Sequence, residues 1–364
     1  MPTPREKFLS FVGDPTGACP VISPFLPNQE VIRDTLRLLR LSPANNPITD
    51  EVSVARELGY EPMFMTDCSG LIFPWAIDES LSSGEVVARV IHTRKGAWIR
   101  HSPREEPAWS DATGCAVQSR EDHDMLLTVC EEVTDREEEI RSYFRAWRRN
   151  VGEDGVIVIG HPHCSWLGSQ ISPSAIFYQW NEFPDVYRRS MDAVCEASLF
   201  VMSIAMEEKI DFMSDSSYGL EMTSPELFQV MDLPYIRRFS AWTHERGGMF
   251  WYHNCGFTRR LIMDGTFNSM GANVIETIAP PPEGDNLLEE SRRFVDKEIC
   301  TKGNFSLGLL RDGTPDQICT KAGEMVRSVH GFPHIFSTAD AVLPGTPARN
   351  FVALIRSLHE ALEA

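Results

Sequence analysis

Short apolar runs that stop at polar residues, glycine or proline recur eight times along this 364-residue chain. They read CPVISPF (19–25), EPMFMTD (61–67), GVIVIGH (155–161), IDFMSD (210–215), MFWYHN (249–254), NVIETIA (273–279), EICTKGN (298–304) and PHIFSTAD (333–340). Such runs are the pattern of strands buried on both faces, as in a parallel sheet covered by helices. Between most of them lie segments of helical period: the stretch after Pro184, the segment opening at Ser224-Pro-Glu, and the one from Thr314 towards Gly331. Strand and helix alternating eight times predict an α/β protein built as a single (β/α)8 TIM barrel spanning residues 1–364. A barrel of this kind typically needs about 250 residues, so the surplus is expected as insertions.

The surplus is visible around 80–150. GEVVARVIHTRKGAWIRHS has two β-rich runs around Arg94-Lys-Gly96 and predicts a hairpin. The stretch from Ser119 to Asn150 is strongly charged, acidic early and basic late, and predicts helix whose charge run is a solvated face favoured by the dipole.

Composition narrows the function. A formal charge of −18 argues against nucleic acid or an anionic membrane as partner, because phosphate binding needs a basic surface. No run of about 18 apolar residues occurs and the first residues lack a signal peptide's apolar stretch, so a soluble cytoplasmic protein is expected. Nine cysteines without repeated spacing predict reduced thiols rather than a disulfide framework.

In a barrel, active-site groups belong where strands end. The polar residues closing the runs are Asp67 and Cys68, His161 and His163, Asp215, His253 and Cys255, Glu276, Asn304 and Asp340. His253 and Cys255 are two apart at the end of MFWYHNCG, so alternation puts both on one face of the strand. Spacing alone leaves two readings open: a metal half-site, since catalytic zinc takes three ligands from Cys, His and carboxylate, or a core histidine bonded to backbone. GHPHC, likewise, reads either as a site loop or as a helix-capping loop.

From about Cys19 onward the chain resembles the uroporphyrinogen decarboxylase superfamily, and within it the cobalamin-dependent methyltransferases. The resemblance is carried by IDFMSDSSYG, SPELFQ, LPYIRRF, HNCG, KGNFS, GTPDQI and AVLPGTPARNFVAL, in that order, with HNCG and LPGTPARN its strongest parts. HTRKGAWIR also resembles the turn that precedes the inserted segment in those methyltransferases. The resemblance implies a zinc ion held by His253 and Cys255. The family's third ligand is a cysteine, and here that position is Asp340. Glu276 is the other candidate for third ligand, and Cys300 and Cys319 rank below both.

A carboxylate in place of a thiolate makes a harder, more electrophilic site, suited to polarising oxygen rather than binding a thiol. The resemblance therefore implies methyl exchange between a small methylated substrate and a corrinoid, with O-demethylation favoured and a methoxylated aromatic as the leading substrate. The aromatic part rests on the FWY run with Trp180, Tyr218 and Phe257. The corrinoid is expected on a separate protein, because no Asp-x-His-x-x-Gly segment is present. Asp215 and Glu276 are the expected catalytic carboxylates and would line the substrate cavity. Asn304 would line the cavity, and His161 and His163 would supply a proton or meet the corrinoid.

Two alternatives remain. One is decarboxylase or lyase chemistry; the other is a noncatalytic barrel that binds a tetrapyrrole. The decarboxylase's Arg-Gln-Ala-Gly-Arg segment is replaced here by SPFLPNQEVIRD, with only Arg33 nearby, so a polycarboxylate substrate would meet repulsion.

Overall fold

The computed structural model describes residues 2–14, 19–104 and 115–364. Seven parallel strands form one curled sheet: β1 (Met63–Met65), β5 (Val156–Val158), β6 (Phe212–Ser217), β7 (Met249–Asn254), β8 (Val274–Glu276), β9 (Cys300–Phe305) and β10 (His334–Thr338), neighbours in that order. Each overlaps one of the apolar runs, with β6 and β9 extending one or two residues past theirs. The first run supplies the eighth position as a single parallel bridge, Ile22 to Phe336. Its backbone closes the ring. Ser23 N donates to Phe336 O and Phe336 N to Val21 O on one side, while Glu61 N donates to Ile22 O on the other. Pro20 and Pro24 bring no N–H to this segment, which shortens its ladder. The chain is a (β/α)8 barrel of the TIM type.

Alternation along the strands separates two cores. Val21, Val156, Val158, Phe212, Trp251, Val274, Cys300 and Ile335 fill the lumen, whereas Met213, Phe250, Tyr252 and Ile275 pack outward under the helices. The lumen core includes Phe8, Phe11 and Val12 of an N-terminal helix, Pro4–Gly13, which begins with a Thr3/Glu6 capping box. Phe8 meets Phe212 and Trp251 at ring-centroid distances of 6.0 and 6.2 Å. Arg5 Nε donates to Asp211 Oδ1, just before β6 begins, at 2.7 Å. This helix therefore closes the N-terminal mouth and leaves the opposite end for chemistry.

The surplus holds one strand more than a hairpin. β2 (Ala76–Ser83), β3 (Val86–Thr93) and β4 (Gly96–Pro103) form an antiparallel sheet anchored by Trp98, whose ring lies 5.1 Å from that of Trp75. The charged stretch forms helices Asp122–Glu132 and Glu137–Val151. The second is amphipathic, with its charged face towards solvent. It buries Ile140, Phe144 and Val151, and Arg141 and Arg145 reach Glu208 at the end of the long helix Pro184–Glu207. All nine cysteines are free thiols.

Candidate metal centre

Parallel register builds the site as one layer. Ser216 pairs with His253, His253 with Glu276, and Glu276 with Lys302, each on the next strand round the barrel. Trp251 already faces the lumen, so His253 two residues on does too, and Cys255 continues the same face past the strand end. Asp340 follows β10 and brings Oδ2 to 3.5 Å from Cys255 Sγ. His253 Nε2 lies 3.0 Å from the same sulfur. The donor atoms of His253, Cys255 and Asp340 all lie within 4.8 Å of one another.

The other imidazole nitrogen is held from behind. His253 Nδ1 is 3.1 Å from Glu276 Oε2, which also accepts from Trp251 Nε1 at 3.0 Å. Glu276 Oε1 pairs with Lys302 Nζ, and that ammonium sits 4.7 Å over the Phe25 ring. Burial alone would raise the Glu276 carboxyl, but Lys302 and then His253 hold it below the usual carboxylate range, so it is ionised. Burial disfavours charge on His253, yet Cys255, Glu276 and Asp340 together push its pKa well above the ordinary value. The local field favours a cation.

This donor set fits zinc. A thiolate and a carboxylate neutralise a divalent charge, and the neutral imidazole is oriented by a carboxylate, the usual arrangement behind a metal-bound histidine. Around tetrahedral zinc, with bonds of about 2.0–2.1 Å to nitrogen and about 2.3 Å to sulfur, donors stand roughly 3.3–3.7 Å apart. The Cys255–Asp340 separation matches, and the His253–Cys255 separation needs to open by about half an ångström.

Glu276 thus stands behind His253, and Asp340 beside Cys255 completes a group of three donor atoms that could hold a metal ion. Cys300 is buried in the lumen core and Cys319 is exposed on an outer helix, so neither joins the cluster.

His161 and His163 reach the same end of the lumen. The His161 ring stacks on that of His253, with centroids 5.1 Å apart and planes at 18°. Its Nδ1 is 3.0 Å from Ser214 Oγ, and His163 Nδ1 is 3.0 Å from Ser216 Oγ. Burial, with His253 adding to it, lowers both histidines, His163 to about 4, so both are neutral. Beyond His163 the Tyr218 and Trp166 rings lie 4.0 Å apart.

Two expected residues lie elsewhere. Asp215 pairs in register with Tyr252 and shares its outward face, because Phe212, Ser214 and Ser216 take the inward positions. It does not line the lumen. Its Oδ1 accepts the backbone N–H of His163 at 3.3 Å and of Ser216 at 2.8 Å, so it fastens the histidine loop from outside, and burial pushes its carboxyl up to about 8. Asn304 donates to Ile278 O at 3.0 Å and lines a cavity of about 550 Å³ with Pro280, Leu287 and Met325, beside an outer helix. The expected aromatic wall also divides. Phe250 and Tyr252 are outer core, Trp251 is lumen core, Phe257 is exposed, and Trp180 packs on Tyr187. Of the aromatic residues named from the sequence, Tyr218 stands beside the histidines.

Lys302 went unread in the sequence. A lysine inside a run expected to be buried on both faces is itself a signal, since a buried ammonium requires a partner.

The profile of the family described as Uroporphyrinogen decarboxylase (URO-D) matches residues 167–361, more than half of the chain. The chain belongs to the uroporphyrinogen decarboxylase family. Curated uroporphyrinogen decarboxylases from Synechococcus sp. (strain CC9902) and Parasynechococcus marenigrum (strain WH8102) are each 41% identical to it over 70 residues, 19% of this chain. The match spans only 20% of the length of those relatives. A solved methyltransferase from Methanosarcina mazei superposes with a TM-score of 0.66 over 99% of both chains at 16% identity, so this member of the family shares its fold.

Proposed function

We propose that this protein, acting as one barrel over residues 1–364, is a zinc-dependent methyltransferase that exchanges a methyl group between a small O-methyl substrate and a corrinoid carried by a partner protein. The observation that carries the proposal is the convergence of His253, Cys255 and Asp340 at the open end of the barrel, with Glu276 behind the histidine. When bound, zinc supplies a Lewis acid for the heteroatom that gives up the methyl group, and the reduced corrinoid supplies the nucleophile.

The chain's own residues do the positioning. Glu276 fixes the His253 ring, and Lys302 keeps Glu276 charged without competing for the metal position. One thiolate in place of two leaves a harder donor set, which favours oxygen over sulfur in the substrate. Tyr218 and Trp166 offer aromatic faces next to the histidines, which suits an aromatic methyl ether. Porphyrin decarboxylation is disfavoured because Arg33 lies on the exposed side of its helix, bonded to Gln29 O, and the lumen cation Lys302 is committed to Glu276.

The test is incubation of the zinc-loaded protein with cob(I)alamin under anaerobic, reducing conditions, following methylcobalamin spectroscopically. The donors are methoxyarenes, methylamines and methyl thioethers. Transfer from the methoxyarenes is expected. Transfer only from sulfur or nitrogen overturns the oxygen assignment, and no transfer from any donor, with or without a corrinoid protein, overturns the methyltransferase reading.

A further inference from the structure

We infer that His161 Nε2 is a hydrogen-bond acceptor for the substrate, and that the substrate therefore carries a donor hydrogen, on a hydroxyl or amine attached to the carbon next to the one that bears the methoxy oxygen. The inference rests on the methyl-transfer reading for the choice of substrate, and on burial and hydrogen bonding for the state of the ring.

The tautomer follows from counting protons. Ser214 has one hydroxyl hydrogen, and Ser214 Oγ donates it to Ile159 O. Only its lone pairs remain for His161 Nδ1, so Nδ1 carries the ring proton and donates it to Ser214. In a neutral imidazole the other nitrogen then bears a bare lone pair. That atom, His161 Nε2, is buried and has no hydrogen-bond partner among the described residues. A proton placed there would equally lack an acceptor. A buried polar atom without a partner is uncommon enough in folded proteins to require an explanation.

Location supplies one. The His161 ring stacks on that of His253, one of the candidate metal donors, so a group that Nε2 accepts would bind beside the candidate metal centre. The lone pair accepts from a donor at about 2.7–3.2 Å. A substrate whose methylated oxygen is directed at the metal position would present to Nε2 a donor on the carbon next to the one that bears that oxygen. A bare lone pair offers nothing to a substrate that has only acceptors next to the methyl group, because two lone pairs then face each other. His161 is in this account a specificity-determining residue, and Ser214 a positioning residue that fixes its tautomer.

The test uses the full, zinc-loaded chain and needs no turnover. Nitrogen-15 NMR of labelled histidines reports which His161 nitrogen is protonated. Binding is measured by calorimetry with matched ethers that differ by one donor hydrogen: 2-methoxyphenol against 1,2-dimethoxybenzene, and 2-methoxyethanol against 1,2-dimethoxyethane. We expect a bare Nε2 whose resonance shifts on adding the donor-bearing ethers only. His161→Phe should weaken the donor-bearing member of each pair by about 5- to 100-fold and the other little, the range for stranding a buried polar group. His161→Gln, whose carbonyl oxygen can take the Nε2 position, should recover part of the loss. Equal weakening of both members, or a proton found on Nε2, overturns the inference. So does loss of zinc from His161→Phe, which would make the residue a ligand. If no ether binds the unaltered protein, the methyl-ether reading fails, while the tautomer still decides the assignment of His161.

Discussion

Lys302 Nζ and the Glu276 carboxylate form an ion pair in which neither side chain is exposed to solvent. The ammonium lies over the rings of Phe25 and Trp251, so the pair is desolvated on the lysine side, while Glu276 turns its other oxygen to Trp251 Nε1 and His253 Nδ1. One residue thus links the core of the barrel to the candidate metal ligand.

Removing one partner strands the other. Lys302→Met should destabilise the fold by about 3–5 kcal/mol, because it leaves a buried carboxylate uncompensated. Adding Glu276→Gln should restore much of that stability, since the pair is then replaced by neutral groups. Urea unfolding of the two variants checks this, and equal destabilisation in both would count against it.

Glu276→Gln alone tests the orienting role. Zinc affinity should fall by about 10- to 100-fold, as is usual when the partner behind a metal-bound histidine is altered, with the metal still able to bind. Competition with a chromophoric chelator gives the number. Complete loss of zinc would make Glu276 a ligand instead.

Gly256 sits directly after Cys255 with φ of 73°, and a Cβ there would overlap Glu221 Oε1, whose partner Oε2 accepts the backbone N–H of Phe257. Gly256→Ala should cost about 1 kcal/mol or more from the backbone conformation alone. It should also weaken zinc binding, because the loop that carries Cys255 has to move. Glu221→Ala relieves the overlap but not the φ, so the double variant should recover metal affinity more than stability.

Above about pH 7, where most histidines are neutral in both the folded and unfolded chain, stability should fall with rising pH. Glu51 is buried in helix Pro47–Leu58 with Oε1 lacking a hydrogen-bond partner among the described residues, and burial pushes its carboxyl up to about 8. The folded chain therefore holds this proton more tightly than the unfolded chain, where the group titrates near 4.5. The contribution is complete below that lower value and lost as pH rises through about 8. Asp232, held up to about 7, and Asp215 act with the same sign. Glu51→Gln should flatten the slope by one proton's share, read as urea midpoints between about pH 5 and about pH 9. An unchanged slope would contradict it.

The barrel was legible in the sequence because each apolar run had to be a strand buried on both sides, and the structure puts a strand or bridge at all eight. β2 was not, since AIDESLSS lies on the surface and carries no apolar period. Nor was the plug helix: PREKFLSFVG shows no marked one-sided stripe, yet Phe8, Phe11 and Val12 fill the barrel mouth. At the site, His253 and Cys255 were readable from spacing, because period two fixes their common face. Asp215 was assigned to the lumen without working out strand phase. The two serines flanking it take the inward positions, and Phe212 two residues before Ser214 carried that information. Lys302 was overlooked because it stood within a run read only for its apolar residues.

The most direct measurement is the metal content of the purified protein and of Cys255→Ser, by elemental analysis beside circular dichroism. The account expects one zinc per chain in the unaltered protein and loss of most of it in Cys255→Ser, with His253→Ala and Asp340→Ala behaving alike. The dichroism should be unchanged, because the barrel is closed by its own core rather than by the metal. Stoichiometric zinc retained in Cys255→Ser, or an unaltered protein that binds none when zinc is supplied, would contradict the metal centre and the methyl-transfer function built on it.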